Sequence, residues 1–100
     1  MSLLDRLLPH PADTTHAEAV ANGSRVVVYW RAGCPFCVRL RRAVRREADR
    51  AAWVDIWRDP EGAAYVRSVN HGNETVPTVV IDGVPHTNPP PRMVRDALLR

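Results

Sequence analysis

Cys34 and Cys37 are the residues of this sequence whose type and spacing best fit covalent chemistry. The C-x-x-C spacing occurs in redox pairs beside a strand and a helix, and in zinc sites when a second cysteine pair is present, which this sequence lacks. Pro35 favours a helix start, and the positive end of that helix stabilises a thiolate at Cys34. The pattern predicts a redox pair in which Cys34 attacks a disulfide and the more buried Cys37 resolves the product.

This chemistry requires that the Cys34 sulfur be reachable from solvent, and that hydrogen bonds add to the effect of the helix dipole. We expect the backbone N–H groups of Phe36 and Cys37, and the Cys37 thiol, to donate to the Cys34 sulfur. Arg31 or Arg39 could add positive charge nearby.

Other interpretations of the cysteine pair stay open at this point. Both thiols could be buried structural residues, because free cysteine behaves as a small apolar side chain. His71 and His86 could join the cysteines in a metal site, but neither stands at ligand spacing to them, and we expect no metal. A structural disulfide is a poor explanation, because cysteines this close in sequence close a loop too short to constrain the unfolded chain.

Length and composition predict one small globular domain. The chain has 100 residues, 45% hydrophobic and 25% charged. Every basic residue is arginine, and the net charge of +3 is too small to indicate a nucleic-acid partner. We find no apolar run of membrane-helix length, and the N-terminal leucines are followed by Pro9, unlike a signal peptide. We therefore expect a cytoplasmic protein with no membrane or nucleic-acid partner, in a compartment where thiols stay reduced.

Residues 1–24 differ in pattern from the rest. Leucines at helical spacing precede Pro9, and the capping box from Thr15 to Glu18 opens a short helix that Asn22-Gly23 ends. We interpret residues 1–24 as an N-terminal helical extension that frays or docks on the domain or a partner, and residues 25–100 as the domain itself.

Strands and helices alternate along the domain. Runs of β-branched and aromatic residues predict strands, and amphipathic runs opened by proline predict helices. The predicted ranges are strand 26–30, helix 35–48, strand 53–57, helix 60–69, strands 78–81 and 84–86, and a last helix from 89. Asp82-Gly83 predicts a hairpin, Pro85 an edge strand, and Asn88 a cap on the last helix. The order β-α-β-α-β-β-α needs a four-stranded mixed sheet with helices on both faces.

The helix after the cysteines is predicted to have one apolar and one arginine face. The apolar face holds Cys37, Leu40, Ala43, Val44 and Ala48, and the other holds Arg39, Arg41, Arg42, Arg45 and Arg46. A solvated surface explains the arginines. The alternative is that Arg39 and Arg42, nearest the thiol, attract acidic substrates or partners.

Cys34-Pro35-Phe36-Cys37, followed by Thr75-Val76-Pro77 in this order of elements, resembles the glutaredoxin branch of the thioredoxin fold. The residues at 34–40, 68–79 and 87–89 are similar to those of mycoredoxins, which are glutaredoxin-like reductases that use mycothiol in place of glutathione. The resemblance covers about residues 25–99.

The resemblance implies a cis peptide before Pro77, facing the cysteines, with the Val76 backbone meeting the cysteine-like part of a bound thiol. Thr87 and Asn88 lie where glutaredoxins meet the γ-glutamyl end of glutathione, but the usual Gly-Gly-Asp type of motif is missing, which suits a different thiol. The thiol-binding residues expected from motif and resemblance are Arg31, Pro35, Phe36, Arg39, Thr75, Val76, Pro77, Thr87 and Asn88.

Motif and resemblance together predict a monomeric thiol-disulfide oxidoreductase that reduces mixed disulfides between mycothiol and proteins. It needs no bound cofactor, and mycothiol rather than glutathione is its co-substrate. Two alternatives stay open: a carrier that binds an iron–sulfur cluster through Cys34 and a second chain's thiol, and a thioredoxin-like electron donor reduced directly by a flavoprotein reductase. Whether Cys37 takes part in every cycle is also open.

Overall fold

A computed structural model describes residues 13–100, so the leucine-rich helix predicted before Pro9 lies outside the described residues. The helices and strands follow one another in this order: β1 (Asp13–Thr14), α1 (His16–Ala21), β2 (Val26–Trp30), α2 (Pro35–Ala43), a 3-10 helix (Ala48–Arg50), β3 (Ala52–Asp55), α3 (Pro60–Val69), β4 (Thr78–Ile81), β5 (Val84–Thr87) and α4 (Pro91–Leu99). No helix in this part of the chain is long and apolar enough to cross a bilayer.

A five-stranded mixed sheet in the order β1-β3-β2-β4-β5 forms the centre of the fold. β2 pairs in parallel with β3 and antiparallel with β4, and β5 lies antiparallel to β4 at the edge. All of β2 is buried, as its continuous apolar run predicts. α2 contacts α4, and α1 contacts α3. The predicted thioredoxin-like fold with helices on both faces is confirmed.

The sheet has one strand more than the sequence predicts. Asp13 and Thr14 pair in parallel with Trp53 and Val54 of β3. A strand of two polar residues has neither an apolar alternation nor a β-branched run, so periodicity does not detect it. Part of the predicted extension therefore belongs to the sheet, while the division of the chain at residue 24 stays a prediction.

The short helix α1 is joined to the domain by polar contacts. The N-cap half of the predicted capping box is present, since the Thr15 hydroxyl accepts the Glu18 N–H at 3.1 Å, whereas the Glu18 carboxylate accepts the Thr14 hydroxyl at 2.7 Å. The His16 N–H donates to the Asp59 carboxylate at 2.7 Å, and the His16 ring stacks on Tyr65 with 5.0 Å between centroids. Asp59 holds the N-cap position of α3 as predicted, but its side chain binds α1 instead of capping α3.

One helix and one strand end earlier than predicted. α2 stops at Ala43 instead of Ala48, and a turn and the 3-10 helix lead the chain back to β3. β3 stops at Asp55 instead of Trp57, because the Asp55 carboxylate accepts the Trp57 N–H at 2.9 Å and bends the chain. Trp57 is consequently 64% exposed.

The hairpin between β4 and β5 forms where the sequence predicts it. Asp82 and Gly83 have φ angles of 48° and 84°, the left-handed pair that a two-residue type I′ turn requires. Pro85 lies on β5, the outermost strand on that side, as predicted from its missing N–H.

Candidate active site

The cysteine pair lies at the N-terminus of α2, directly after β2 and its loop. Cys34 is the N-cap residue and Pro35 the first residue of the helix. The Cys37 N–H donates to the Cys34 sulfur at 3.4 Å, an interaction that favours the thiolate. Of the two backbone amides predicted as donors, the described chain shows this bond for Cys37 and not for Phe36.

Cys37 lies deeper than Cys34, as predicted. Burial raises the pKa of Cys37 to about 12, and a hydrogen bond with the Cys34 side chain contributes to the rise. A backbone hydrogen bond from Arg31 and the charge of Arg41 oppose this rise in the Cys37 pKa. Cys37 is therefore a protonated thiol at neutral pH, available to donate a hydrogen bond to Cys34.

Little of either cysteine is exposed to solvent. Cys34 is 5% exposed and Cys37 2%, and both are free thiols. Cys34 is thus more covered than an open nucleophile, although Phe36 beside it is 53% exposed.

The peptide bond between Val76 and Pro77 is cis, as the resemblance implies, and it faces the cysteines. The Cys34 thiol donates to the Val76 carbonyl at 3.7 Å. The Cys34 sulfur thus lies between the Cys37 N–H, from which it accepts a hydrogen bond, and the Val76 carbonyl, to which the thiol donates one. Loss of the Cys34 proton therefore frees the Val76 carbonyl for another donor.

Asn70 is a residue near the site whose role the sequence does not reveal. It is buried at the end of α3, where its amide donates to the Val66 carbonyl at 2.9 Å and the Thr78 hydroxyl at 3.1 Å. Its side-chain oxygen accepts the Thr87 hydroxyl at 2.6 Å. The sequence shows Asn70 only as part of a helix stop, but its side chain ties α3 to both strands that flank the cis-proline loop.

Asn88 and Thr87 are placed differently from the prediction. Asn88 does not cap α4, whose N-cap is Pro90; it has a left-handed φ of 45°, and its N–H donates to the Pro77 carbonyl at 2.8 Å. Three successive prolines shift the helix start beyond Asn88, because proline has no N–H for a cap to bind. The Thr87 hydroxyl is bound to Asn70.

The remaining predicted thiol-binding residues make separate contacts. Phe36, Arg39 and Asn88 line one cavity of about 260 Å³. The Thr75 carbonyl accepts the Thr78 hydroxyl at 2.7 Å. The Arg31 guanidinium lies 5.4 Å from the Trp57 ring centroid.

Arg41 was predicted on the solvated face of α2, and this is wrong. It is 6% exposed, and its guanidinium lies 4.4 Å from the Trp30 ring centroid and 5.9 Å from that of Trp53. Within residues 13–100 its Nε has no hydrogen-bond partner, and both the indole faces and the charge of Asp13 attract the guanidinium. The sequence contains a signal for this burial: Arg41 stands one helical turn after Cys37, which places both residues on the same side of the helix.

The comparisons with known proteins agree with this geometry. The glutaredoxin family model matches residues 26–86. The chain belongs to the glutaredoxin family. This glutaredoxin is 40% identical over 78 residues to a Mycobacterium tuberculosis protein assigned to the glutaredoxins, a match covering 75% of this chain and 90% of that protein. It is 37% identical over 67 residues to Mycoredoxin 1 of Corynebacterium glutamicum, covering 66% and 82% of the two chains.

Membership of the family gives the reaction class. Glutaredoxins are thiol-disulfide oxidoreductases that need no bound cofactor, and this chain is therefore a thiol-disulfide oxidoreductase. Among residues 13–100, no three histidine, cysteine or acidic side chains form a cluster that could hold a metal ion.

Alkylation of this glutaredoxin should discriminate between its two thiols. With a pKa of about 12, Cys37 is about one part in 10⁵ thiolate at pH 7, so iodoacetamide should label Cys34 alone near neutral pH. Because a larger fraction of Cys37 is deprotonated at higher pH, the rate at which Cys37 is labelled should rise about tenfold per pH unit between pH 7 and 10. Labelled Cys37 should remain the minor product.

Mass spectrometry of tryptic peptides after timed alkylation measures this difference. Cys37→Ser should take up one label like the wild type, and Cys34→Ser almost none unless the protein is first unfolded in denaturant. Equal labelling of both cysteines at pH 8 in the folded protein would contradict the assignment of the buried, protonated thiol to Cys37.

Proposed function

We propose that this glutaredoxin reduces mixed disulfides between mycothiol and protein thiols, with Cys34 as the attacking residue. The observation that carries this proposal is the position of the Cys34 sulfur at the N-terminus of α2, where it accepts the Cys37 N–H at 3.4 Å and faces the cis-proline loop. The helix dipole and this amide stabilise a negative charge that neither neighbouring strand could stabilise.

The first step is thiol–disulfide exchange. The Cys34 thiolate attacks the mycothiol sulfur of the mixed disulfide, a bond forms between Cys34 and mycothiol, and the disulfide bond to the protein breaks. The protein thiolate leaves and takes a proton from water. The Val76 carbonyl, freed when Cys34 loses its proton, can then accept an N–H of the cysteine part of mycothiol.

The second step can follow two routes. In one, a second mycothiol thiolate attacks the mycothiol sulfur on Cys34, giving mycothiol disulfide and the Cys34 thiolate. In the other, the Cys37 thiolate attacks the Cys34 sulfur, releases mycothiol and leaves a Cys34–Cys37 disulfide. Burial keeps Cys37 protonated, with a pKa of about 12, which supports the first route at neutral pH and leaves Cys37 as the resolving thiol of the second.

Two features support mycothiol over glutathione. The chain is similar to Mycoredoxin 1, and the positions at which glutaredoxins meet the γ-glutamyl group are filled by Thr87 and Asn88. The Thr87 hydroxyl is bound to Asn70, and the Asn88 N–H is bound to the Pro77 carbonyl. Groups already bonded within the protein are poor partners for the charged γ-glutamyl end. Arg31, Pro35, Phe36, Arg39, Thr75 and Pro77 are proposed to border the bound thiol.

A substrate comparison tests the choice of thiol. The mixed disulfides of mycothiol and of glutathione with 2-mercaptoethanol are offered separately, each with its own thiol as the second reactant, and kcat/KM is measured for both. We expect the mycothiol substrate to be reduced at least about tenfold more efficiently, a difference of about 1.4 kcal/mol in the transition state.

Equal or better reduction of the glutathione substrate would contradict the preference for mycothiol. A coloured dimer from anaerobic purification would favour the cluster carrier instead. Turnover fed by a flavoprotein reductase, with no low-molecular-weight thiol present, would favour the electron donor.

A further inference from the structure

A groove between α2 and α4 is lined by arginines, of which only Arg39 also belongs to the residues proposed to border the bound thiol. Its central cavity has a volume of about 470 Å³, and it continues into cavities of about 260 Å³ and 250 Å³ that share lining residues with it. We call this surface the arginine groove. Its positively charged lining consists of Arg39, Arg42, Arg45, Arg46, Arg92 and Arg95.

The positive charge of the arginine groove is not neutralised within residues 13–100. The ion pairs in this part of the chain involve arginines outside the groove, at positions 25, 58, 67 and 100. Glu47 is the acidic residue that lines the groove, at the end far from the cysteines. Like charges held this close repel one another, so a partner with carboxylates would gain more here than elsewhere on the surface.

The groove begins beside the redox centre. One of its cavities is lined by Phe36, which lies two residues after Cys34, and by Arg39, and the groove runs from there along α2 towards Arg46. The helical stretch 36–43 spans about 10 Å, which matches about three residues of an extended chain, and the following turn lengthens the groove. Ala43, predicted to be buried, is exposed and lines it together with Pro90 and Pro91. A trough with apolar walls and arginine rims has the shape and chemistry for a short acidic peptide.

We propose that the arginine groove binds an acidic segment of the protein whose disulfide is reduced, a few residues away from the modified cysteine. The proposal rests on Cys34 being the attacking thiol, because the groove is adjacent to that sulfur. Guanidinium groups bind carboxylates with two parallel hydrogen bonds, so the segment would be held in a defined direction while its disulfide meets Cys34. A net charge of +3 makes an extended nucleic acid a poorer partner than a short acidic peptide.

Two matched peptides test the proposal. Both carry one cysteine as its mixed disulfide with mycothiol, followed after two glycines by either four alternating Asp and Glu residues or four alternating Asn and Gln residues. We expect kcat/KM for the acidic peptide to be at least about tenfold higher at low ionic strength, and the difference to shrink as salt is added.

The variant Arg42→Gln/Arg95→Gln should lose most of the preference for the acidic peptide, about fivefold or more. The matched control Arg58→Gln/Arg100→Gln removes the same charge outside the groove and should keep the preference within about twofold. Activity on the small mycothiol mixed disulfide of 2-mercaptoethanol should be similar in both variants. If the wild type and both variants lacked that activity, the result would count against the redox proposal, not the groove.

Equal rates on the two peptides, or the same loss of preference in the control, would overturn the proposal. Tighter binding of a fluorescent single-stranded oligonucleotide than of the acidic peptide at physiological salt, abolished in Arg42→Gln/Arg95→Gln, would also overturn it in favour of nucleic acid.

Discussion

Replacing Cys34 by serine should lower kcat/KM for the mycothiol mixed disulfide by at least about 10³-fold, because a serine hydroxyl is not ionised at neutral pH and cannot form the mixed disulfide. Cys37→Ser should keep the activity within about tenfold. The protonated state of Cys37 explains the difference, since burial holds the pKa of that thiol at about 12 and it contributes little thiolate at neutral pH. Steady-state kinetics with both thiol substrates in excess measure the effect.

A trapping experiment separates the roles further. Cys37→Ser treated with mycothiol disulfide should accumulate a mycothiol adduct on Cys34 that mass spectrometry detects, and Cys34→Ser should accumulate none. Abolished turnover in Cys37→Ser with a normal adduct would show that Cys37 resolves every cycle, against the one-cysteine route. An active Cys34→Ser would remove Cys34 from the mechanism.

The Asn70→Ala substitution should lower the free energy of unfolding by about 2–4 kcal/mol. It leaves the Val66 carbonyl without the Asn70 amide, removes one of the two partners of the buried Thr78 hydroxyl, and removes the partner of the more exposed Thr87 hydroxyl. An unpaired buried polar group costs about 1–3 kcal/mol. The activity should fall as well, at temperatures where the protein is fully folded. Asn70 holds Thr78, the first residue of β4, and Thr78 directly follows Pro77, whose cis peptide bond faces the cysteines. Urea unfolding and assays well below the urea midpoint measure the two effects.

Asn73 offers a matched control. Its side-chain amide donates to the Asn70 carbonyl at 3.0 Å, but Asn73 itself is exposed, so Asn73→Ala should cost less than about 1 kcal/mol and leave activity unchanged. Similar destabilisation by both substitutions would show that Asn70 acts as an ordinary helix end. Asn70→Asp should be no milder than Asn70→Ala, because it puts a carboxylate among groups that need an amide donor.

Neighbouring residues in the sequence were sufficient to predict the structure at positions where one chemical property decides the backbone conformation. The type I′ turn follows from Asp82-Gly83, because few residues adopt two left-handed φ angles in succession. The start of α2 follows from Pro35, and the depth of Cys37 follows from its place inside the first turn. These features depend on neighbouring residues in the sequence alone.

Features that depend on residues far apart in the sequence could not be predicted. β1 forms because Asp13 and Thr14 meet the free edge of β3, and no property of those two residues predicts this pairing. Arg41 is buried because two indoles from different strands cover its charge. The side-chain bonds of Asn70 likewise join segments that the sequence pattern treats as independent.

The two edge strands of the sheet are poor sites for another β-strand to pair. In the described chain one border is β1, which is only two residues long, and the other is β5, where Pro85 lacks an N–H. Both arrangements discourage a foreign strand from adding to the sheet, the step by which many β-containing proteins begin to form fibrils. The described sheet thus leaves little free backbone through which copies of the protein could polymerise.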